Sequence, residues 1–221
     1  MALICFDLDG TLLDPTEGLQ ACLERACSEL GLLNPPPDLL RRQIGLDLSM
    51  LVAGPHAIEV VERCWRYFEE EGLFAQRVQE GVPLLLARLK RQGHRLHLLA
   101  SQPATCARRA LHHFDLNLIF DGVTGFLPGE GWVSKGDLLR SLRAEGVLER
   151  SGLLVGDRAD DLRAARHHGL RGIGVTYAFG SREELEEGAP EALLDSIQEL
   201  DAWLEKTLRE PEIHDPFSRS E

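Results

Sequence analysis

The sequence predicts an α/β protein, a doubly wound parallel sheet interrupted after its first strand by an all-helical block. Three observations predict it. A short apolar run, Ala2 to Phe6, is too brief to span a membrane and reads as a buried strand. From Pro83 onward strand and helix patterns alternate, the signature of βαβ units around a parallel sheet. Between them, residues 15–80 carry helical patterns without a strand signal.

In chain order, Thr16 to Leu30 has helical spacing and stops at Gly31, ahead of Asn34 and Pro35-Pro36-Pro37. Further helices are expected over Asp38 to Ile44, Leu48 to Ala53 and Ala57 to Glu71. In the last, Ile58, Val61, Trp65 and Phe68 share one face, a packing stripe. The alternation then runs helix 83–92, strand 95–100, helix 103–114, strand 122–126, helix 135–145 and strand 152–156. Helix 159–168, strand 171–176 and a strand plus helix near 191–204 complete it. The expected organisation is a Rossmann-like core of residues 1–14 and 81–204, a helical cap of residues 15–80 and a loose polar tail of residues 205–221. No internal repeat is visible.

The 221 residues suffice for one sizeable domain carrying an insertion. A hydrophobic share of 43% and a charged share of 27% are those of an ordinary globular protein. The formal net charge of −12 argues against a nucleic-acid or anionic-membrane partner, while leaving room for a phosphorylated substrate whose charge a metal and local cations offset. No run approaches 18 apolar residues and the N-terminus enters the first strand directly, so the expectation is a cytoplasmic protein; a monomer or homodimer is expected, with no sequence feature choosing between them. Five scattered cysteines, without a C-x-x-C pair, form neither a disulfide framework nor a zinc site. Cys106 lies near the candidate site, and buried packing is its ordinary role.

The chemistry gathers at strand ends. Asp7 and Asp9 close the first strand with one residue between them, which places both on one side of an extended chain. In an open α/β sheet, that end is where ligands bind. Two such acids repel unless a cation or unequal protonation separates them, although an Asp-rich, Gly-containing stretch is also how a strand ends in a plain turn. Ser101 closes the strand 95–100 and is followed by Gln102-Pro103, with Pro suited to a first helical turn. Lys135 opens a helix after the Gly129-Glu130-Gly131 loop. Gly156-Asp157 ends Leu153-Leu154-Val155, with Asp160 and Asp161 just beyond. Each alone is weak, and together they suit phosphoryl transfer. A carboxylate can attack phosphorus and split one hard step into two. Mg²⁺ takes octahedral oxygen ligands, which suits Asp7, Asp157 and a carbonyl near Asp9. Ser101 and the amides of the Gly10-Thr11 turn can donate to phosphate oxygens, and Lys135 supplies a compact cation.

Phe6-Asp7-Leu8-Asp9-Gly10-Thr11-Leu12-Leu13-Asp14, Leu98-Leu99-Ala100-Ser101, Lys135 and the run Val155-Gly156-Asp157 to Gly169 resemble the four motifs of the haloacid dehalogenase-like hydrolases. The placement of the helical block resembles the phosphoglycolate phosphatase-like branch. So do Thr16 to Leu19, Ile44-Gly45, Gly81-Val82 and Tyr177 to Ser181, which are also similar to 5′-nucleotidase-like members. The resemblance implies a phosphoric monoester hydrolase acting on a small phosphorylated metabolite with Mg²⁺ and an aspartyl-phosphate intermediate. It implies Asp7 as nucleophile and metal ligand, and Asp9 as general acid/base lending its carbonyl to the metal. Thr11 then holds the turn, Ser101 and Lys135 bind the phosphoryl group with Gln102 grouped beside them, Asp157 ligates the metal and Asp161 supports the metal's waters and Lys135. The second acid at position 9 favours a phosphatase over a dehalogenase. The chain departs from the pattern at Gln102, Gly136, Arg158 and the Gly45-Leu46-Asp47 turn, which blurs the identity of the substrate.

Other features have ordinary readings. His112-His113 and His167-His168 are neighbours on helices and point apart, poor geometry for joint metal ligation. Gly172-Ile173-Gly174 lacks the third glycine and following helix of a dinucleotide fingerprint. Trp132 suits loop packing more than a substrate ring. Gln43, Asp47, Arg63 and Arg66 could reach a leaving group, against an ordinary surface role for each. Two rival functions remain: a phosphomutase of the β-phosphoglucomutase type, which would use the same nucleophile, and a phospho-accepting signalling domain without turnover, against which the order of the motifs, the acid at Asp9 and the inserted cap argue.

Overall fold

The computed structural model describes residues 1–52, 54–127, 133–148 and 152–208. In chain order, β1 is Leu3–Asp7, β2 Leu13–Asp14, α1 Thr16–Glu29, α2 Pro37–Gln43, α3 Ala57–Glu70 and β3 Arg77–Val78. Then come α4 Val82–Arg91, β4 Arg95–Pro103, α5 Ala104–His113, β5 Gly122–Phe126, α6 Lys135–Ala144 and β6 Gly152–Gly156. The chain continues through α7 Ala159–His167, β7 Arg171–Val175, α8 Arg182–Glu187, β8 Ala192–Leu194 and α9 Ile197–Leu208. Six strands form one sheet in the order β5-β4-β1-β6-β7-β8, and each neighbouring pair is parallel. This is the doubly wound α/β sheet that the alternation predicts.

Every residue of β1 is buried, because helices cover both of its faces. Alternation along the strand divides its side chains between two cores. Ile4 and Phe6 pack in the larger one, with Leu19, Leu23, Val60 and Phe68 of the helical segment. Leu3 and Cys5 pack in the smaller one, with Leu138, Leu142 and Ala165 of α6 and α7. The central strand thereby fixes the height of its own carboxyl end, where Asp7 stands. From β1 the chain winds outward through β4 and β5, then crosses back to β6 on the other side. The ends of β1, β4 and β6 therefore flank the reversal of winding, where such sheets open a crevice.

Several expectations need correction. A two-residue strand, Arg77–Val78, lies in the region read as helical throughout. It pairs antiparallel with Leu13–Asp14, so the two ends of the helical segment leave side by side. Two residues are too few to carry a period. The helix expected over 48–53 is one 3₁₀ turn, Leu48–Leu51, capped by Asp47, whose carboxylate accepts from Ser49 N at 2.9 Å. On α3 the buried stripe is Val60, Cys64, Tyr67 and Phe68, while Ile58 is 69% exposed. Cys64 and Tyr67 serve as apolar surface there, which rotates the stripe. Pro103 ends β4 and precedes α5 rather than starting its first turn. The short α8, capped by Ser181, had no periodic signal. Glu205 to Leu208 continue α9, which the Arg88 to Asp201 pair ties to α4 at 2.6 Å. The rest of the expected tail lies outside the described residues.

His97 on β4 bonds Thr124 on β5 at 2.9 Å, and burial, reinforced by Arg95 and Arg108, pushes its imidazolium pKa down to about 4. Below an unfolded pKa of about 6.5 the unfolded chain takes up a proton that the folded chain refuses, so stability falls as pH drops from about 6.5 toward 4. Between pH 7 and 5 this group removes about 2 kcal/mol. His97→Gln is expected to flatten that part of the stability profile, measured by urea unfolding. An unchanged profile would count against the assignment.

Candidate active site

The turn after β1 is built around Gly10. Its φ of +97° suits glycine, and a Cβ there would meet Asp157 Oδ2 and Phe179 Cδ2 at 2.7 Å. Gly10 N donates to Leu13 O at 2.6 Å, and Leu12 N to Leu8 O at 2.9 Å. This tight turn leaves Asp7 and Asp9 buried at the strand end. Asp157, one residue beyond β6, accepts from Phe179 N at 3.0 Å and from Thr11 Oγ1 at 3.4 Å. Tyr177 donates its hydroxyl to Thr11 O at 3.0 Å, so the loop after β7 braces the turn after β1.

Lys135 is the first residue of α6, whose start is capped by Ser134. Its ammonium is buried and pairs with Asp7 Oδ1, Leu99 O at 2.7 Å and Asp161 Oδ1 at 3.2 Å. Burial works against its charge, but Asp161 and Asp7 outweigh that and raise its pKa. Asp161, in the first turn of α7, reaches back to accept from Arg158 N at 3.0 Å, half of a capping box. Burial, with Asp7 added, pushes its carboxyl up to about 7 against the pull of Lys135. Burial and then the charges of Asp7 and Asp161 hold Asp157 well above the carboxylate range. Asp9 is pushed up to about 7, by burial first and Asp7 second. Burial comes first in each carboxyl shift, and the neighbouring acids add to it.

Carboxylate oxygens of Asp7, Asp157 and Asp161 all lie within 4.8 Å of one another. A divalent ion accepting hard oxygen ligands fits that donor set and would relieve the repulsion that raises these pKa values. The third carboxylate in this grouping is Asp161, expected one step removed from the metal. The side chain of Asp9 stands apart, held by Gln102, whose Nε2 lies 2.8 Å from both carboxylate oxygens. Gln102 was expected beside the phosphate, and its donor is spent on Asp9 instead. Ser101 is buried next to it at the end of β4.

The structure thus pairs Lys135 with Asp7 and Asp161 and sets Asp157 within 4.8 Å of both acids, with Thr11 against Asp157 and Asp9 against Gln102. Other candidates are engaged elsewhere. Gln43 bonds Asp47 O at 2.7 Å, Arg63 pairs with Glu59 and Glu29, and Arg66 bonds Tyr67. His113 packs edge-on against Phe74, and His167 against His168. Gly172 and Gly174 give room for Leu162 and Leu193. Burial pushes the Cys106 thiol up to about 12, which suits packing rather than chemistry. Trp132 and the 129–131 loop lie outside the described residues. Sequence reasoning gave no role to Tyr177 and Phe179, and it treated Arg158 only as a departure. The available signal was a charge directly after a strand-end acid, where burial demands a partner.

A family model described as haloacid dehalogenase-like hydrolase matches residues 4–175. A 5′-nucleotidase of Pseudomonas aeruginosa is 36% identical over 194 residues, which are 85% of this chain and 88% of that protein. A phosphoglycolate phosphatase of Pseudomonas putida is 28% identical, over 90% of this chain and 78% of its own. Tyrosine-protein kinase PtkA of Mycobacterium tuberculosis is 28% identical over 84% of this chain, which spans 65% of that protein. A crystal structure of a predicted phosphatase from Clostridium acetobutylicum superposes with a TM-score of 0.83 and 27% identity, covering 93% of this chain and 98% of its own. Among the described residues no helix is long and apolar enough to cross a membrane.

Removing the ammonium by Lys135→Met leaves Asp7 and Asp161 buried without their partner, which is expected to cost roughly 3–5 kcal/mol. Urea unfolding in chelator should show the whole loss, and excess Mg²⁺ should restore part of it. Equal losses in both conditions would argue against a cation shared by these acids.

Proposed function

We propose that this chain, which belongs to the haloacid dehalogenase-like hydrolase family, hydrolyses a small phosphorylated metabolite through an aspartyl-phosphate at Asp7. The 36% identity to a 5′-nucleotidase favours a nucleoside 5′-monophosphate-like substrate over a phosphoglycolate-like one. The observation that carries the reading is the pairing of two acids with different partners. Asp7 is held by a buried ammonium, while Asp9, two residues on, is held by a neutral amide. Different environments give two carboxyls different roles.

An Asp7 oxygen attacks phosphorus as the bond from phosphorus to the leaving oxygen breaks. Asp9, protonated, gives its proton to that leaving oxygen, and Gln102 keeps the carboxyl in place. Asp9 then takes a proton from water attacking the phosphorus, which frees inorganic phosphate and restores Asp7. Lys135 offsets charge on Asp7 throughout, and the hydroxyl of Ser101, at the buried end of β4, is the proposed donor to the phosphoryl oxygens. Asp7, Asp157 and Asp161, with the Asp9 carbonyl, are the groups that would hold Mg²⁺, which supplies charge neutralisation for the phosphoryl group when bound. The protein is taken to act as a monomer or homodimer on cytoplasmic metabolites.

A screen of phosphorylated metabolites with Mg²⁺ and with chelator tests the reading, with turnover expected only where Mg²⁺ is present. Asp7→Asn is expected to abolish turnover while leaving the circular dichroism spectrum intact, and full activity would end the mechanism. Asp9→Asn should slow alkyl phosphates by about 10²–10⁴-fold and p-nitrophenyl phosphate far less, because nitrophenolate leaves without a proton. Equal losses on both would remove Asp9 as the acid. A hexose phosphate isomer among the products would indicate a mutase, and a long-lived phosphoprotein without turnover a signalling role.

A further inference from the structure

Arg158 follows Asp157 and is 4% exposed. A guanidinium so buried costs several kcal/mol unless its donors are satisfied. Its Nε donates to Ile44 O at 3.0 Å, and Nη2 to Ile44 O at 2.8 Å, Arg42 O at 2.7 Å and Arg41 O at 3.3 Å. Nη1 faces the other way, to Glu184 Oε2 at 3.1 Å and Phe179 O at 3.4 Å. The backbone of Arg158 is in turn fixed by the bond of its N–H to Asp161. One side of the fork thus binds α8 and the loop after β7, and the other the end of α2, while the arginine's own backbone belongs to the loop that carries Asp157 and Asp161.

The acceptors on α2 explain why an arginine is needed. The last carbonyls of a helix have no amide partners within it, so they need donors from outside. α2 has seven residues, of which only Leu40 is buried, too little to set its position by packing alone. Gly45, at φ +82°, then turns the chain over the Arg158 stem, where a Cβ would lie 3.6 Å from Arg158 Cγ. Ile44 therefore stands one arginine side chain away from Asp157. Other ties between the helical segment and the sheet are less directional: the apolar packing of α1 and α3 beside β1, a Trp65 to Phe126 ring contact at 6.1 Å, an exposed Arg109 to Glu69 pair at 3.7 Å, and Arg41 over the Phe179 ring at 5.2 Å.

We infer that Arg158 is a positioning residue for the hydrolytic reaction, a strut that sets the end of α2 and the Ile44–Ser49 turn by the geometry of the Asp157–Asp161 loop. This rests on the hydrolase reading of the site. The turn that follows α2 and the loop completing the carboxylate group are then placed by one side chain. A lysine keeps the charge but cannot serve four carbonyls and a carboxylate at once.

Amide hydrogen exchange and steady-state kinetics on Arg158→Lys, Arg158→Met and Glu184→Gln test this, using adenosine 5′-monophosphate and p-nitrophenyl phosphate with Mg²⁺. Both Arg158 variants are expected to exchange at least tenfold faster at residues 40–46, with β1 and β6 unchanged. The KM for adenosine 5′-monophosphate should rise about tenfold while kcat for p-nitrophenyl phosphate changes less than threefold. Glu184→Gln, which weakens the core-side anchor while keeping an amide oxygen to accept from Ala159 N, should move both readouts the same way by a smaller factor, and it decides the matter if the Arg158 variants fail to fold. Unchanged exchange at residues 40–46 overturns the strut. Faster exchange with an unchanged KM reduces Arg158 to a stabilising contact and overturns its positioning role. If the wild type turns over neither substrate, the hydrolase reading fails, and exchange alone then decides the strut.

Discussion

The site depends on burying four carboxylates around one ammonium at the carboxyl end of the central strand. Two unit charges 4.8 Å apart at an effective dielectric constant of about 20 repel by roughly 3.5 kcal/mol. Several such pairs exceed what hydrophobic packing around one strand end can absorb. The protein answers with donors: the Phe179 amide on Asp157, the Arg158 amide on Asp161, the Gln102 side chain on Asp9 and Lys135 on Asp7. The remaining imbalance is what a divalent cation and a substrate's phosphoryl group are suited to share.

That electrostatic requirement shapes the surrounding backbone. Gly10 must be glycine because Asp157 and Phe179 crowd its α-carbon. Lys135 must open α6, because only there does its stem reach across to Asp7 and Leu99. Asp161 must sit in the first turn of α7, where its carboxylate can accept from Arg158 N and still face Lys135. Each is a local rule of turns and helix starts used to place a charge. The helical segment is joined to this arrangement by two unlike means. Apolar side chains of α1 and α3 extend the core beside β1, which is adaptable, while Arg158 makes directional bonds to the end of α2, which are not. The first holds the segment near the sheet, and the second fixes where its loop lies.

Much of this was legible in the chain. Alternating strand and helix periods located the parallel sheet, and strands 122–126 and 152–156 fall where the pattern placed them. Acids, a serine and a lysine at successive strand ends converge because a doubly wound sheet brings those ends to one edge. What failed failed for identifiable reasons. The Arg77–Val78 strand is shorter than one period, and the α3 stripe turned because a cysteine and a tyrosine count as apolar once buried. The bond from Gln102 to Asp9, 93 residues away in the chain, had no local signal at all.

The sequence by itself determined the fold class and which residues carry charge at the strand ends, because side-chain periods and local turn chemistry are properties of short stretches. Only the tertiary structure decided which carboxylates stand close enough to hold one cation, which acid stands apart on an amide, and that Arg158 spans to Ile44. Those contacts join residues far apart in the chain. They exist because the order β4-β1-β6 sets three strand ends side by side, and a buried charge then takes whatever partner that edge provides.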